Sequence, residues 1–331
     1  MRAAACVTAI LSIAAGGGFA ASGAFAAAAW KPDKVVEIVV NTAPGNSPDK
    51  TARAIQKIIQ DRKLAEAPVT VSNRVGGGGA VAYTYLNQRP ADGHFIAIAS
   101  KAILTNHIMG RGPNPADFTA IAHLFDEYVA ITVKADSPIK SGRDLVERLK
   151  QDAGAVSFGI ATSLGNINHQ SVATVLKEAG IDIKKTRNVV FQSGVLARTA
   201  MLGGHVDVVP MALGTAAGPL QNGQLRIIAV AAPKRVPGLF ANEPTWREQG
   251  YDVVMSNWRS VIAPKGLPAS QVAYWEQTLV RVTETDEWKK DLEANFWESD
   301  FLGSAATRKL MESDHAKIRA FLVELDLASS K

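Results

Sequence analysis

The tightest constraint on the fold is a repeated alternation of short β-branched runs, glycine-bearing or polar loops and amphipathic stretches, set out first in residues 35–53. Val35, Val36, Ile38, Val39 and Val40 are almost continuous, the pattern of a strand covered on both faces. Ala43-Pro44-Gly45-Asn46 stops it. Ser47 followed by Pro48 suits an N-cap and a first helical position, and Asp49 falls where a carboxylate complements the helix dipole. Ile55, Ile58 and Ile59 then repeat at core spacing. Such a unit presents unpaired backbone N–H groups at one point, which serves either an ordinary βα turn or an anion site.

The alternation continues along the chain and predicts an α/β protein with mostly parallel sheets. Val69-Thr-Val-Ser-Asn-Arg-Val reads as a strand that runs into Gly76-Gly-Gly-Gly79 and then a helix ending near Arg89-Pro90. No Gly-Lys-Ser/Thr follows the glycines, which favours a tight turn with close helix approach over a phosphate loop. His94 to Ser100 is a third strand, Tyr128 to Lys134 a long one, and Ala161 to His169 a second strand-loop-helix junction. Further strands are expected at 188–191, 206–209 and 225–231, with 257–263 mirroring 128–134 and helices at 269–294 and 304–325. Two α/β domains joined by two crossing strands follow, with a ligand cleft between them and the Ser47 and Asn166 loops facing each other across it. The expected boundaries are 29–127 with 258–331 for the first domain and 128–257 for the second.

The first 28 residues differ from the rest. Arg2 precedes an alanine-rich apolar stretch ending in Ala24-Phe25-Ala26 and Ala26-Ala27-Ala28, the form of a cleaved secretory signal peptide. The expectation is therefore a periplasmic protein. The chain's one cysteine, Cys6, lies in that segment, leaving no disulfide framework and no thiol nucleophile after it. A formal charge of +5, carried by scattered residues without a basic run, argues against nucleic acid as a partner and is compatible with a small anionic ligand.

Several stretches in order resemble the periplasmic solute receptors of tripartite tricarboxylate transporters, the Bug family. They are Trp30-Lys-Pro-Asp-Lys34, Ala43-Pro-Gly-Asn-Ser-Pro-Asp49, Val71-Ser-Asn-Arg-Val-Gly-Gly-Gly-Gly79, Pro90-Ala-Asp-Gly-His94, Leu202-Gly-Gly-His-Val-Asp207, Glu243-Pro-Thr-Trp-Arg-Glu-Gln-Gly250 and Trp258 to Pro268. The resemblance implies a type II-like, two-domain periplasmic binding fold closing on a carboxylate, a monomer that hands its ligand to integral membrane transporter subunits and needs no cofactor. It implies a first binding loop of Pro44, Gly45, Asn46 and Ser47 and a second of Thr162, Ser163, Gly165 and Asn166. Asn46 and Pro48 stand where the family usually has glycine and threonine, Asn166 replaces a typical serine, and Gln192, Val195 and the Trp258-Arg259 pair also depart from the pattern. These changes leave the ligand class open between carboxylates and uncharged compounds, and a signalling rather than transport role stays open as well.

Arg259 and His169 have two readings each, and Asp49, a candidate of the ligand-binding loop, is read as structural. Arg259 offers either a bidentate fork to a second carboxylate or an interdomain salt bridge. His169 supports the second loop or simply packs. Asp49 bonds loop N–H groups, since a carboxylate facing an anion would repel it. A hydrolase using Ser47 is disfavoured because Asp49 replaces the last glycine of a nucleophile elbow and proline follows the serine. The six histidines show no His-x-His or His-Glu-x-x-His spacing, so the sequence offers no metal motif.

Overall fold

The computed structural model describes residues 30–329, and the expected signal segment lies outside the described residues. The first pass of the chain gives β1 (Val36–Val40), α1 (Ser47–Asp61), β2 (Val69–Asn73), α2 (Ala80–Asn87), β3 (Phe95–Ala99), α3 (Ala102–Ile108) and β4 (Phe118–Asp126). A second series follows: β5 (Val129–Lys134), α4 (Gly142–Gln151), β6 (Ser157–Ala161), α5 (Ile167–Glu178), β7 (Arg187–Phe191), α6 (Gly194–Leu202), β8 (Val208–Ala212), α7 (Leu213–Gln221) and β9 (Leu225–Val230). The chain then returns with β10 (Arg259–Pro264), α8 (Ala269–Thr283), α9 (Asp286–Asn295), β11 (Glu298–Gly303) and α10 (Ser304–Glu324).

Two sheets result, of order β11-β4-β10-β3-β1-β2 and β7-β6-β8-β5-β9. Each is mixed rather than mostly parallel. β1 runs parallel to β2 and β3, and β6 to β7 and β8, whereas β10, β11 and β5 pair antiparallel with their neighbours. β5 and β10 are the strands by which the chain enters one sheet from the other, whereas β11 reaches β4 from α9 without a crossing.

The strand expected over 128–134 is β5 of the second sheet, and β4 of the first sheet, which the sequence pattern does not mark, ends just before it with only Glu127 and Tyr128 between. The helix expected over 269–294 breaks at Thr285, whose extended backbone and hydroxyl cap the next helix by accepting from the Trp288 N–H at 3.2 Å. Residues 298–303, to which the sequence pattern assigns no element, form the edge strand β11. At α1 the N-cap is Asn46, with Ser47 the first helical residue.

The glycine run makes a tight turn. All four residues have positive φ, and a Cβ on Gly79 would meet Asn41 Nδ2 at 2.8 Å and Tyr83 Cε2 at 2.9 Å, so only glycine lets α2 approach β1 this closely. α10 packs Met311, Ile318 and Leu322 into the first domain's core, while Phe321 and Leu325 lie against that of the second. Lys177 pairs with Glu324 and Lys184 with Asp326 across the same contact.

The crossing segments are bonded side by side. Tyr128 and Ser256 form an antiparallel bridge, and the Asn257 N–H donates to the Glu127 carbonyl at 2.8 Å. Arg259, only 3% exposed, donates from Nη2 to Glu127 Oε2 at 2.9 Å and to Ser47 Oγ at 3.0 Å, and from Nη1 to the Asn257 and Trp258 carbonyls. Removing one partner of a buried ion pair leaves an uncompensated charge. Glu127→Ala is therefore expected to lower unfolding free energy by about 3 kcal/mol in a urea titration, the low end of the range because the carbonyls still hold the guanidinium; a loss below about 1 kcal/mol would mean that water screens the pair.

Candidate functional site

Both strand-loop-helix junctions lie in the cleft, yet they line different cavities. The larger, of about 560 Å³, is bounded by Thr162, Ser163, Asn166 and Asn168 of the second loop and by Gly77, Gly78, Lys101, Asn106 and Arg111 of the first domain, with Asn257 from the hinge. The smaller, of about 340 Å³, contains Gly45, Asn46 and Ser47 opposite Gly214 and Thr215, with Glu127 beside them. The loops are thus not brought together on one cavity. Pro44 is exposed at the tip of its loop and lines neither.

Equivalent glycine N–H groups are engaged in the two loops, by groups of different charge. In the first, Gly45 N–H donates to Asp49 Oδ2 at 2.8 Å. Burial works to raise the Asp49 pKa, but hydrogen bonds from Arg53, the Gly45 N–H and Asn73 outweigh it and hold the carboxyl below its ordinary value. The positive end of α1 is therefore already faced by a carboxylate. In the second, Gly165 N–H donates to His169 Nδ1 at 3.0 Å, and burial brings the imidazole pKa down to about 4. His169 is neutral near pH 7, and the positive end of α5 keeps no counter-charge of its own.

The rest of the second loop is held by its cap. Asn166 Oδ1 accepts from the His169 N–H at 3.0 Å, and its Nδ2 donates to the Ala161 carbonyl and to Thr162 Oγ1. Thr162 sits at φ +65°, a conformation that costs a β-branched residue and persists only where its surroundings impose it. A Cβ on Gly165 would lie 2.6 Å from Leu322 Cδ2, so α10 presses directly on this loop. The N–H groups of Thr162, Ser163 and Gly165 are spent inside the protein. Those of Asn166, Ile167 and Asn168, at the start of α5, have no partner within the helix.

Lys101 and Arg111 are the cations of the larger cavity, and no carboxylate is among its lining residues. Lys101 Nζ is 3.0 Å from Asp314 Oδ2, which also accepts the Trp258 indole N–H at 2.8 Å. The Arg111 side chain is exposed and has no ion pair or hydrogen bond among the described residues. Two expected site residues face elsewhere: Trp258 is buried in the first domain's core, and Arg259 is committed to Glu127, Ser47 and backbone carbonyls. Arg259 makes a salt bridge, but with Glu127 on the neighbouring crossing segment and not across the cleft. Lys101, Asn106, Arg111 and Asn257 were not singled out in the sequence, although Lys101 follows a strand of the parallel part of the sheet, where ligands gather in open α/β folds.

The profile of the tripartite tricarboxylate transporter family receptors, TctC, matches residues 51–327. The chain belongs to this family. As a TctC receptor it is 26% identical over 241 residues to Protein BugT of Bordetella pertussis, covering 71% of this chain and 72% of that one. The TctC solute binding protein from Polaromonas superposes with a TM-score of 0.76 at 23% identity, over 88% of this chain and 99% of the other. The R. palustris protein Rpa4515, solved with adipate, gives 0.75 at 24% identity over 90% and 99%. The fold is that of the two-domain periplasmic binding proteins, and the matched profile begins just after the Asn46-Ser47 loop.

The depressed His169 pKa has a consequence for stability. The unfolded imidazole binds a proton near pH 6.5 and the buried one only near pH 4, so the contribution is intact above 6.5 and lost as pH falls through 4. Unfolding titrations of the TctC receptor between pH 7 and 4 should show a loss of up to ~3 kcal/mol from this group. His169→Asn, which keeps an acceptor but no titrating group, should flatten that part of the profile.

Proposed function

We propose that this TctC receptor works in the periplasm, capturing a small organic anion, most simply a carboxylate, in the cavity between the second loop and the Gly77–Arg111 face. It then presents the closed form to integral membrane subunits of a tripartite tricarboxylate-type transporter. The observation that carries this reading is the charge arrangement of the larger cavity: among the described residues Arg111 has no partner, the start of α5 lacks a counter-charge, and no lining residue is acidic. The volume, about 560 Å³, falls within the usual range for small-ligand sites. Adipate in the related Rpa4515 fold supports the carboxylate class.

Closure follows from differential affinity. A ligand that touches both Arg111 of the first domain and Asn166 of the second is bound fully only when the domains approach, so binding shifts the population towards the closed form. The proposed boundaries, 127/128 and 257/258, fall on the paired crossing segments, which are the natural pivot. The chemistry is binding rather than catalysis: Ser47 Oγ is held by Arg259 and has no histidine partner among its hydrogen bonds.

A thermal-shift screen of the mature receptor against mono-, di- and tricarboxylates and uncharged analogues tests this. At 100 times its dissociation constant a true ligand adds about 2.7 kcal/mol of stability. Arg111→Ala should weaken a carboxylate ligand at least about tenfold, the equivalent of 1.4 kcal/mol, while Ser47→Ala leaves affinity nearly unchanged. A ligand weakened by Ser47→Ala and indifferent to Arg111→Ala would place binding at the smaller cavity instead. Response to uncharged compounds alone would end the anion reading.

A further inference from the structure

β11 pairs with β4 at the edge of the first sheet, and its register breaks between Ser299 and Leu302. The break is a bulge, a feature that re-aims side chains. It sets Asp300 beside His123 and Asp126 of β4. His123 is fully buried, and its Nε2 has no hydrogen-bond partner. That nitrogen lies 3.8 Å from Asp126 Oδ2 and 3.6 Å from Asp300 Oδ2, and one donor atom from each of the three residues falls within 4.8 Å of the others.

These separations are too long for hydrogen bonds. They are close to the ~3.4 Å edge between ligands set tetrahedrally at ~2.1 Å around a small divalent ion. The surroundings orient the donors as a metal site requires. His123 Nδ1 is 3.4 Å from Ser260 Oγ, which can accept its proton, and in that tautomer the Nε2 lone pair faces the carboxylates. Asp126 uses its other oxygen, Oδ1, to accept from Ser256 Oγ, which fixes that carboxylate. Lys101 exerts its charge on Asp126 from nearby but is itself paired with Asp314. Asp300 has a half-exposed side chain, 52%, and gives an ion a way in from solvent.

We propose that His123, Asp126 and Asp300 form a binding site for one first-row divalent cation of the zinc class, with water completing its shell. The imidazole selects against the oxygen-seeking Mg²⁺ and Ca²⁺. The bound ion ties β11 to β4 immediately before the Glu127 crossing and, through the Ser256 bond to Asp126, reaches the returning crossing segment as well. The site is separate from the carboxylate cavity, and none of its three residues lines that cavity.

Calorimetric titration of the EDTA-treated, exported chain with Zn²⁺ alone, and separately with Mg²⁺ and Ca²⁺, tests the assignment. The expected result is one saturable Zn²⁺ site accompanied by a rise in Tm, with no comparable binding of Mg²⁺ or Ca²⁺. Asp300→Asn, at the exposed ligand, should weaken Zn²⁺ by about tenfold or more while leaving the melting of the EDTA-treated protein unchanged. His123→Gln should abolish the site. The proposal is overturned by the absence of a saturable site, by equal affinity for Zn²⁺ and Mg²⁺, or by Asp300→Asn binding Zn²⁺ as tightly as the unaltered chain, the result expected if a proton on His123 alone holds the three groups together.

Discussion

The junction between the two crossing segments and the first loop depends on one buried guanidinium. Arg259 enters the first sheet where β10 begins and meets Glu127 of the outgoing crossing, the carbonyls of its own crossing, and Ser47 at the start of α1. A buried charge is tolerated only when its donors are engaged. The contacts of its two terminal nitrogens, with Nε left without a partner among the described residues, also fasten the hinge to the first loop. Arg259 is consequently part of the framework of the cleft. Ser47, whose hydroxyl faces it, belongs to the same framework.

The two loops begin with the same local plan and end with opposite electrostatics. In each, a glycine N–H is taken up four residues later by a side chain on the following helix, Asp49 in one and His169 in the other. The carboxylate compensates the positive end of α1 and is itself neutralised by Arg53. The neutral imidazole leaves the positive end of α5 available. Such a difference steers an anion towards the second loop without any change of backbone fold, because the field at a helix terminus falls off within a turn.

Much of the fold was legible in the chain. β-branched runs, glycine stops and helical spacing located β1 to β3 and the βα units of the second domain, and the resemblance in ordered motifs agrees with the profile match over residues 51–327. The misread segments have physical causes. β4 has only Thr119 and Ile121 as β-branched residues and carries a histidine near its middle, so periodicity does not mark it; its strand state comes from pairing with β10 and β11. The break at Thr285 is a capping effect that outweighs the helical pattern on either side. Trp258 and Arg259 stood out as unusual residues at a hinge, and both are used inside the protein.

The sequence by itself determined the α/β class, the two chain crossings and the positions of both helix-starting loops, since these follow from local periodicity, turn chemistry and capping. Only the tertiary structure decided what each charge does. Asp314 lies far along the chain from Lys101, Glu127 from Arg259, and Asp300 from His123, and each pairing forms because strands distant in sequence become neighbours in a sheet or a helix folds back over it. Arg111 stands out only after Lys101, the other cation of the larger cavity, has found its partner in Asp314. A chain read in order shows which side chains are charged. The energy of a charge depends on what surrounds it after folding, and that is set by contacts that no local pattern encodes.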